Sequence, residues 1–349
     1  MLRVRACGLS DVGLTRVHNE DYFEIDARHR LFVVADGMGG HSAGEVAAQI
    51  AVKAIHDFIE KSVDRDATRS LRVSRTPAPR ATPLAAAGAA GRSLPAAAPG
   101  AAAAAASPGA ANATSPAAQA AVASPALPAS PDAYRPPQPS ASGALAGVMA
   151  VPALPAGDDR LARHSRLLKM AVRKAHDNVL TAISKDGSLH GMGTTVVGLL
   201  LAGPTAAVAH VGDSRAYRLR HGRLDQLTQD HTWVHEQVVA GLLSQEQARS
   251  HPLKNVVTRA LGGESEVLVD VSELQVQAGD IYLLCSDGLT GMLSDADIRE
   301  RLGSGRSLHE ICRSLVNEAN ARGGLDNVTV VLLSIEDSAD EDGDQDRRY

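Results

Sequence analysis

The chain has 349 residues, 44% of them hydrophobic, and a formal net charge of −5. That is enough apolar material for a sizeable core, and the mild acidity argues against a nucleic-acid protein, which would show a basic excess. Aromatic residues make up only 3%, too few for stacking platforms on single-stranded nucleic acid.

In chain order, residues 1–10 contain no apolar run long enough for a signal peptide. Residues 31–35, Leu-Phe-Val-Val-Ala, read as a short apolar strand ending on Asp36-Gly37. Residues 45–62 read as an amphipathic helix, with Val46, Ile50, Ala54, Ile55, Phe58 and Ile59 at helical spacing. From 64 to 159 the composition shifts to Ala, Pro, Ser and Gly with few large apolar residues. Such a segment cannot build a core and is expected to be a disordered insertion. Its stretch 84–106 has the length of a membrane span, but Arg92, Pro95 and Pro99 interrupt it, so no transmembrane segment is expected.

A second amphipathic helix is expected over 161–183, so the insertion loops out between two helices. Strands follow over 194–201, 206–211 and 216–220, punctuated by Gly203-Pro204 and Gly212-Asp213. Two more are expected over 267–274 and 281–285, then a helix over 307–321 and an apolar strand over 328–335. The acidic residues 336–349 read as a mobile tail. This order gives an α+β domain, sheets inside and helices outside, made of 1–63 and 160–335. Cys7, Cys285 and Cys312 are odd in number, far apart and without CxxC spacing. They read as free, small hydrophobes in a reducing cytoplasm.

Four aspartates stand at strand ends: Asp36, Asp213, Asp287 and Asp326. Asp-Gly and Gly-Asp are common turn dipeptides, so any one alone reads as a turn residue. Four carboxylates converging at one end of a core would repel one another unless cations sat between them. Their all-oxygen chemistry suits Mg²⁺ or Mn²⁺. Spacing alone leaves the turn and metal readings both open.

The motifs around these residues resemble the protein phosphatase 2C (PPM) family in its bacterial form. They are Asp11-Val-Gly-Leu-Thr-Arg-Val-His-Asn-Glu-Asp21, Val34-Ala-Asp-Gly-Met-Gly-Gly-His-Ser-Ala-Gly-Glu45 and Gly191-Met-Gly-Thr-Thr195. Gly212-Asp-Ser-Arg-Ala-Tyr217, Thr228-Gln-Asp-His231, Ser286-Asp-Gly-Leu289 and Asp326-Asn-Val-Thr329 follow in family order. The resemblance implies a four-layer α-β-β-α sandwich of two mainly antiparallel sheets flanked by helices. It implies hydrolysis of phosphoserine and phosphothreonine by a water activated between two Mn²⁺ or Mg²⁺ ions, opposing a serine/threonine kinase. Phosphorylated proteins are then the partners, and a monomer is expected.

Residue by residue, the resemblance makes Asp36 the bridge between the ions and gives Gly37 a ligating backbone carbonyl. Asp287 and Asp326 match ligands of the second ion, and Asp213 with Asp287 matches a third, weaker site. Glu20 and Asp21 match acids that hold ion-bound waters, and Asn327 supports the same cluster. Arg16 matches the phosphate grip, and its planar guanidinium suits that task. Met38 stands where eukaryotic members carry a histidine acid. His41 and a metal-bound water are the alternatives for that proton.

Two other patterns are weaker. His231 and His235 are four apart, but Thr232 stands where a zincin carries glutamate, so flap recognition or packing is the reading rather than zinc. Gly191-Met-Gly-Thr-Thr195 lacks a P-loop lysine and reads as the entry to a strand. A non-catalytic module of the same fold would lack a metal aspartate, and none is missing. A nucleotide-directed two-metal hydrolase would carry a basic cleft or stacking aromatics, which the composition opposes. A scaffold role for the insertion is compatible with catalysis.

Overall fold

Strand β11 (Val328–Asp337) shows how the sequence builds this fold. Its apolar residues are nearly continuous because both faces are covered. Val331, Leu333 and Ile335 pack between two sheets, and Val328, Val330 and Leu332 pack outward against helices. A period-two split with both halves apolar is what a doubly covered strand requires.

The computed structural model describes residues 2–39, 43–73 and 162–337. All of them belong to one compact unit. The insertion proposed for 64–159 lies outside the described residues from 74 onward, as do the tail beyond 337 and His41.

Five strands form the first sheet, in the order β1-β11-β10-β7-β8. They are β1 (Leu2–Asp11), β7 (Arg215–Arg220), β8 (Arg223–Gln226), β10 (Ile281–Cys285) and β11. The second sheet runs β2-β3-β5-β6-β9, with β4 beside β3. Its strands are β2 (Asp21–Asp26), β3 (Leu31–Met38), β4 (Gly193–Thr194), β5 (Val196–Ala202), β6 (Thr205–Val211) and β9 (Asp270–Gln275). Every pairing is antiparallel.

Helices α1 (Ala43–Val73) and α2 (Arg163–Lys185) cover the second sheet. In α1, Ala47, Ala51, Ile55 and Ile59 are buried at four-residue spacing. Short helices α3 (Trp233–Val239) and α4 (Gln245–Ser250) lie between β8 and β9. Around β10 and β11 stand α5 (Asp287–Thr290), α6 (Asp295–Leu302) and α7 (Leu308–Ala321). Ser307 caps α7 in a capping box with Glu310, and Ile311, Cys312, Leu315, Val316 and Ala319 pack on the first sheet. Helix, sheet, sheet and helix thus form four layers, the α+β sandwich expected from the sequence.

The boundaries differ in places. Helix α1 continues to Val73, past the boundary set at 64. The polar run 64–73 contains no Pro or Gly, and Pro77 is the first proline beyond it. Strand β9 begins at Asp270 rather than 267. No helix among the described residues is long and apolar enough to cross a membrane.

Candidate metal centre

Antiparallel register brings distant motifs to one end of the sandwich. Asp21 at the start of β2 pairs with Asp36 on β3. Cys285, ending β10, pairs with Val330 near the start of β11, and Asp11, ending β1, pairs with Val328. Val211, ending β6, pairs with Val196. Asp287, Asp326 and Asp213 each stand one or two residues beyond such an end. Rigid strands therefore hold each carboxylate.

Close backbone approaches fix the turns. A Cβ on Gly37 would lie 2.1 Å from the carbonyl oxygen of Gly44 and 2.7 Å from that of Glu20. Gly212 has φ +105°, and a Cβ there would lie 2.5 Å from Thr195 Cβ. Glycine is required at both. Thr195 N and Thr194 Oγ1 both donate to the Asp36 carbonyl at 2.8 Å. Thr195 and Ser214 share a hydroxyl hydrogen bond of 2.7 Å. Met38 pairs with Gly193 at the end of β3.

The carboxylates are crowded. Burial, then the charges of Asp21, Asp287, Asp213 and Asp326, holds Asp36 well above the usual carboxylate range. Burial also raises Asp287, opposed in part by a hydrogen bond with Asp36. Such a bond between two carboxyls needs a proton on one of them. Asp213 is pushed up to about 8 by burial, then by Asp287 and Asp230. Asp21 is pushed up to about 7 by burial, with Asp287 and Asp326 adding to it, although Ser286 donates to its Oδ2 at 2.7 Å. Glu20 is raised, chiefly by burial.

Two further oxygens test whether cations fit. Glu20 Oε1 and Asp21 Oδ1 are buried with no hydrogen-bond partner. Buried carboxylate oxygens without donors call for a cation or its water shell. The residues present fit a site for hard divalent ions. The strand-end aspartates are not among the groups whose ligand atoms all lie within 4.8 Å of one another. Among the described residues, those groups are Asp26/His29/His56, His210/His231/Asp270 and His56/Asp57/Glu60. A paired centre spreads its ligands around two ions about 3.5–4 Å apart, so its carboxylates need not gather to single-ion spacing.

Arg16 stands at the rim. Its Nη2 donates to Asp326 Oδ2 at 2.7 Å, and both side chains are partly exposed. Partial burial works against its charge, but Asp326, Glu20 and Asp36 outweigh this and hold it above its ordinary value. Asn327 organises the rim. Its side-chain oxygen accepts from Glu20 N at 2.8 Å, and its Nδ2 donates to the carbonyls of Val12 and His18, each at 2.9 Å. The Asn327 side chain thus ties the Arg16 loop to β11.

Sequence reasoning missed several supports. Arg215 grips Asp230 at 2.6–3.1 Å and Tyr217 at 2.9 Å, placing a cation beside Asp213 and Asp287. His231 exchanges two bonds with Gly212, its Nδ1 accepting from Gly212 N at 3.1 Å and its own N–H reaching Gly212 O at 3.0 Å. Its Nε2 faces Asp270 at 3.2 Å. His231 therefore braces the turn before Asp213, and among the described residues His235 joins no group close enough to share an ion. Ser214 beside Asp213 and Ser286 beside Asp287 were the available signal.

A stability consequence follows for protein stripped of divalent ions. Asp21, Asp36, Asp213 and Asp287 hold protons more tightly folded than unfolded. Their contribution is complete below the unfolded value of about 4 and is lost as pH rises towards 7 to 8. Asp26, Asp270 and Asp280 are lowered and act below that window. In chelator, the melting temperature should fall by about 5 °C or more from pH 5 to pH 8. A melting temperature that rises or stays level over that range contradicts the crowding.

Comparison with known proteins follows the same residues. A family model described as protein phosphatase 2C matches residues 15–87 and 84–327. The serine/threonine phosphatase stp of Listeria innocua is 41% identical over 166 residues, covering 48% of this chain and 66% of that protein. The serine/threonine protein phosphatase PstP of Mycobacterium tuberculosis is 31% identical over 339 residues, covering 96% of this chain and 46% of that protein. The matched stretch thus spans just under two thirds of the first relative and under half of the second. A crystal structure of the Mycobacterium tuberculosis phosphatase PstP/Ppp is similar with a TM-score of 0.64 and 29% identity, covering 96% of this chain and 99% of that chain. A structure of the PstP catalytic domain in complex with two manganese ions has a TM-score of 0.62 and 28% identity, covering 97% and 100% of the two chains.

Proposed function

The chain belongs to the protein phosphatase 2C family, and from that premise we propose that it is a metal-dependent phosphatase of phosphoserine and phosphothreonine in proteins. One observation carries the reading. Carboxylates from separate strand ends crowd together, Asp213 buried and Asp36 and Asp287 partly so, and the charges of Asp21, Asp287, Asp213 and Asp326 add to burial in raising Asp36, a state that cations relieve at neutral pH. Asp36, the Gly37 carbonyl, Asp287 and Asp326 would hold two Mn²⁺ or Mg²⁺ ions, with Asp213 and Asp287 at a third. When bound, the ions lower the pKa of a coordinated water and offset charge on the phosphoryl oxygens.

The chain's own groups do the rest. Arg16, at the rim, would bind two phosphate oxygens with its planar fork. Glu20 and Asp21 offer acceptors for waters around the ions. Asn327 ties the Arg16 loop to β11 by its three hydrogen bonds. The natural opposing activity is a serine/threonine kinase, and three free cysteines fit a reducing, cytoplasmic setting.

Phosphate release from a phosphothreonine peptide tests the reading. It should require Mn²⁺ or Mg²⁺, stop in EDTA and return when metal is restored. Turnover undiminished by chelation would overturn it.

A further inference from the structure

The loop that carries Arg16 is unusually apolar on its outside. Val12 is 36% exposed, Leu14 70% and Val17 85%, and Leu325 beside Asp326 is 58% exposed. These are four of the twelve large hydrophobic residues that stand exposed among the described residues, and all four lie within four positions of Arg16 or next to its partner Asp326. Scattered exposed apolar residues are ordinary, but a concentration at a binding site is informative.

The loop does not need these side chains to hold its shape. Leu14 N and Thr15 N donate to the Gly324 carbonyl at 2.8 and 3.2 Å. Gly13 N and Asn320 Nδ2 donate to Asp11 Oδ1 at 2.9 and 3.0 Å. Asn327 secures the carbonyls on either side of Arg16. The same bonds press the two segments together, since Leu14 Cγ lies 2.9 Å from where a Cβ on Gly324 would stand. Leu14 therefore sits against the turn at Gly324 that leads directly into Leu325.

We propose that this rim recognises protein substrates bearing aliphatic side chains next to the phosphorylated residue. The inference rests on the phosphatase reading. A phosphate held by Arg16 fixes the phosphorylated residue, and an extended peptide advances about 3.3 Å per residue. Its neighbours one or two positions away must then pass over Leu14, Val17 and Leu325. Covering one such side chain is worth about tenfold in affinity.

The test compares two phosphothreonine peptides, one flanked by Leu and Val and one by Gly and Ser, with p-nitrophenyl phosphate as a flankless substrate. The wild-type chain with Mn²⁺ should favour the aliphatic peptide by about tenfold or more in kcat/KM, mainly through KM. A combined Leu14→Ser, Val17→Ser, Leu325→Ser variant should bring that ratio to about one and leave p-nitrophenyl phosphate turnover unchanged. Equal kcat/KM for both peptides in the wild type, or a preference kept by the variant, overturns the inference alone. No p-nitrophenyl phosphate turnover by the wild type fails the phosphatase reading itself. A concentration-dependent dimer in sedimentation that the variant abolishes, without peptide preference, assigns the rim to a second copy and also overturns the proposal.

Discussion

Asp36→Ala should lower Mn²⁺-dependent phosphate release by about a thousandfold or more, and Asp287→Ala should do the same. Both carboxylates lie at the centre of the crowded group. Asp36 is pushed up by burial and by four neighbouring aspartates, and Asp287 by burial and then by Asp326. Removing either leaves fewer acidic ligands, and a small neutral side chain offers an ion nothing in return. A second readout separates this from simple unfolding. In chelator at pH 8, taking one carboxylate out of a mutually repelling set should hold or raise the melting temperature. Lost activity with unchanged or raised metal-free stability identifies a functional carboxylate. Activity retained in either variant would remove that residue from the centre.

Arg16→Ala should lower kcat/KM for a phosphothreonine peptide by about a hundredfold, as expected for losing a charge-assisted contact with phosphate. Arg16→Lys should recover only part of the loss, because an ammonium cannot present two parallel N–H groups. Stability should barely move. The Arg16–Asp326 pair is partly exposed on both sides, and such pairs contribute about 0–1 kcal/mol. Measuring kcat/KM and melting temperature on the same preparations checks both halves. Full activity in Arg16→Ala would remove the phosphate-gripping role.

The central strands were legible because their patterns are unambiguous. Residues 31–35, 281–285 and 328–335 are apolar runs ending in turn chemistry, and β3, β10 and β11 stand there. The helix expected over 307–321 is α7. Strands β1 and β2 went unread. Arg3 and Arg5 alternate with Leu2, Val4 and Ala6 in β1, and Glu24 and Asp26 interrupt β2, so neither resembles an apolar run. Helix α1 was cut short because composition marked the change at 64, whereas the backbone continues until proline approaches.

The site divides similarly. Four aspartates at strand ends could be seen in the sequence, but turn and metal readings stayed level until ordered motifs accompanied them. Antiparallel register then places them at one end of the sandwich. Glu20 and Asp21 each keep a buried oxygen without a hydrogen-bond partner, and the three bonds of Asn327 join segments more than 300 positions apart. No local pattern encodes such contacts. His231 looked like half of a chelating pair, yet its Nδ1 is committed to Gly212 N, which only the fold reveals.

Titration of the metal-stripped chain with Mn²⁺ in a calorimeter, beside Asp36→Asn, tests the central claim most directly. The wild type should bind two ions per chain at neutral pH and release protons as it does so, since ions displace the protons that the crowded carboxylates hold. Asp36→Asn, folded by its melting curve, should lose the paired binding. Two ions bound by the variant as tightly as by the wild type, or none bound by the wild type, would contradict the assignment of Asp36 as the bridge of a metal pair.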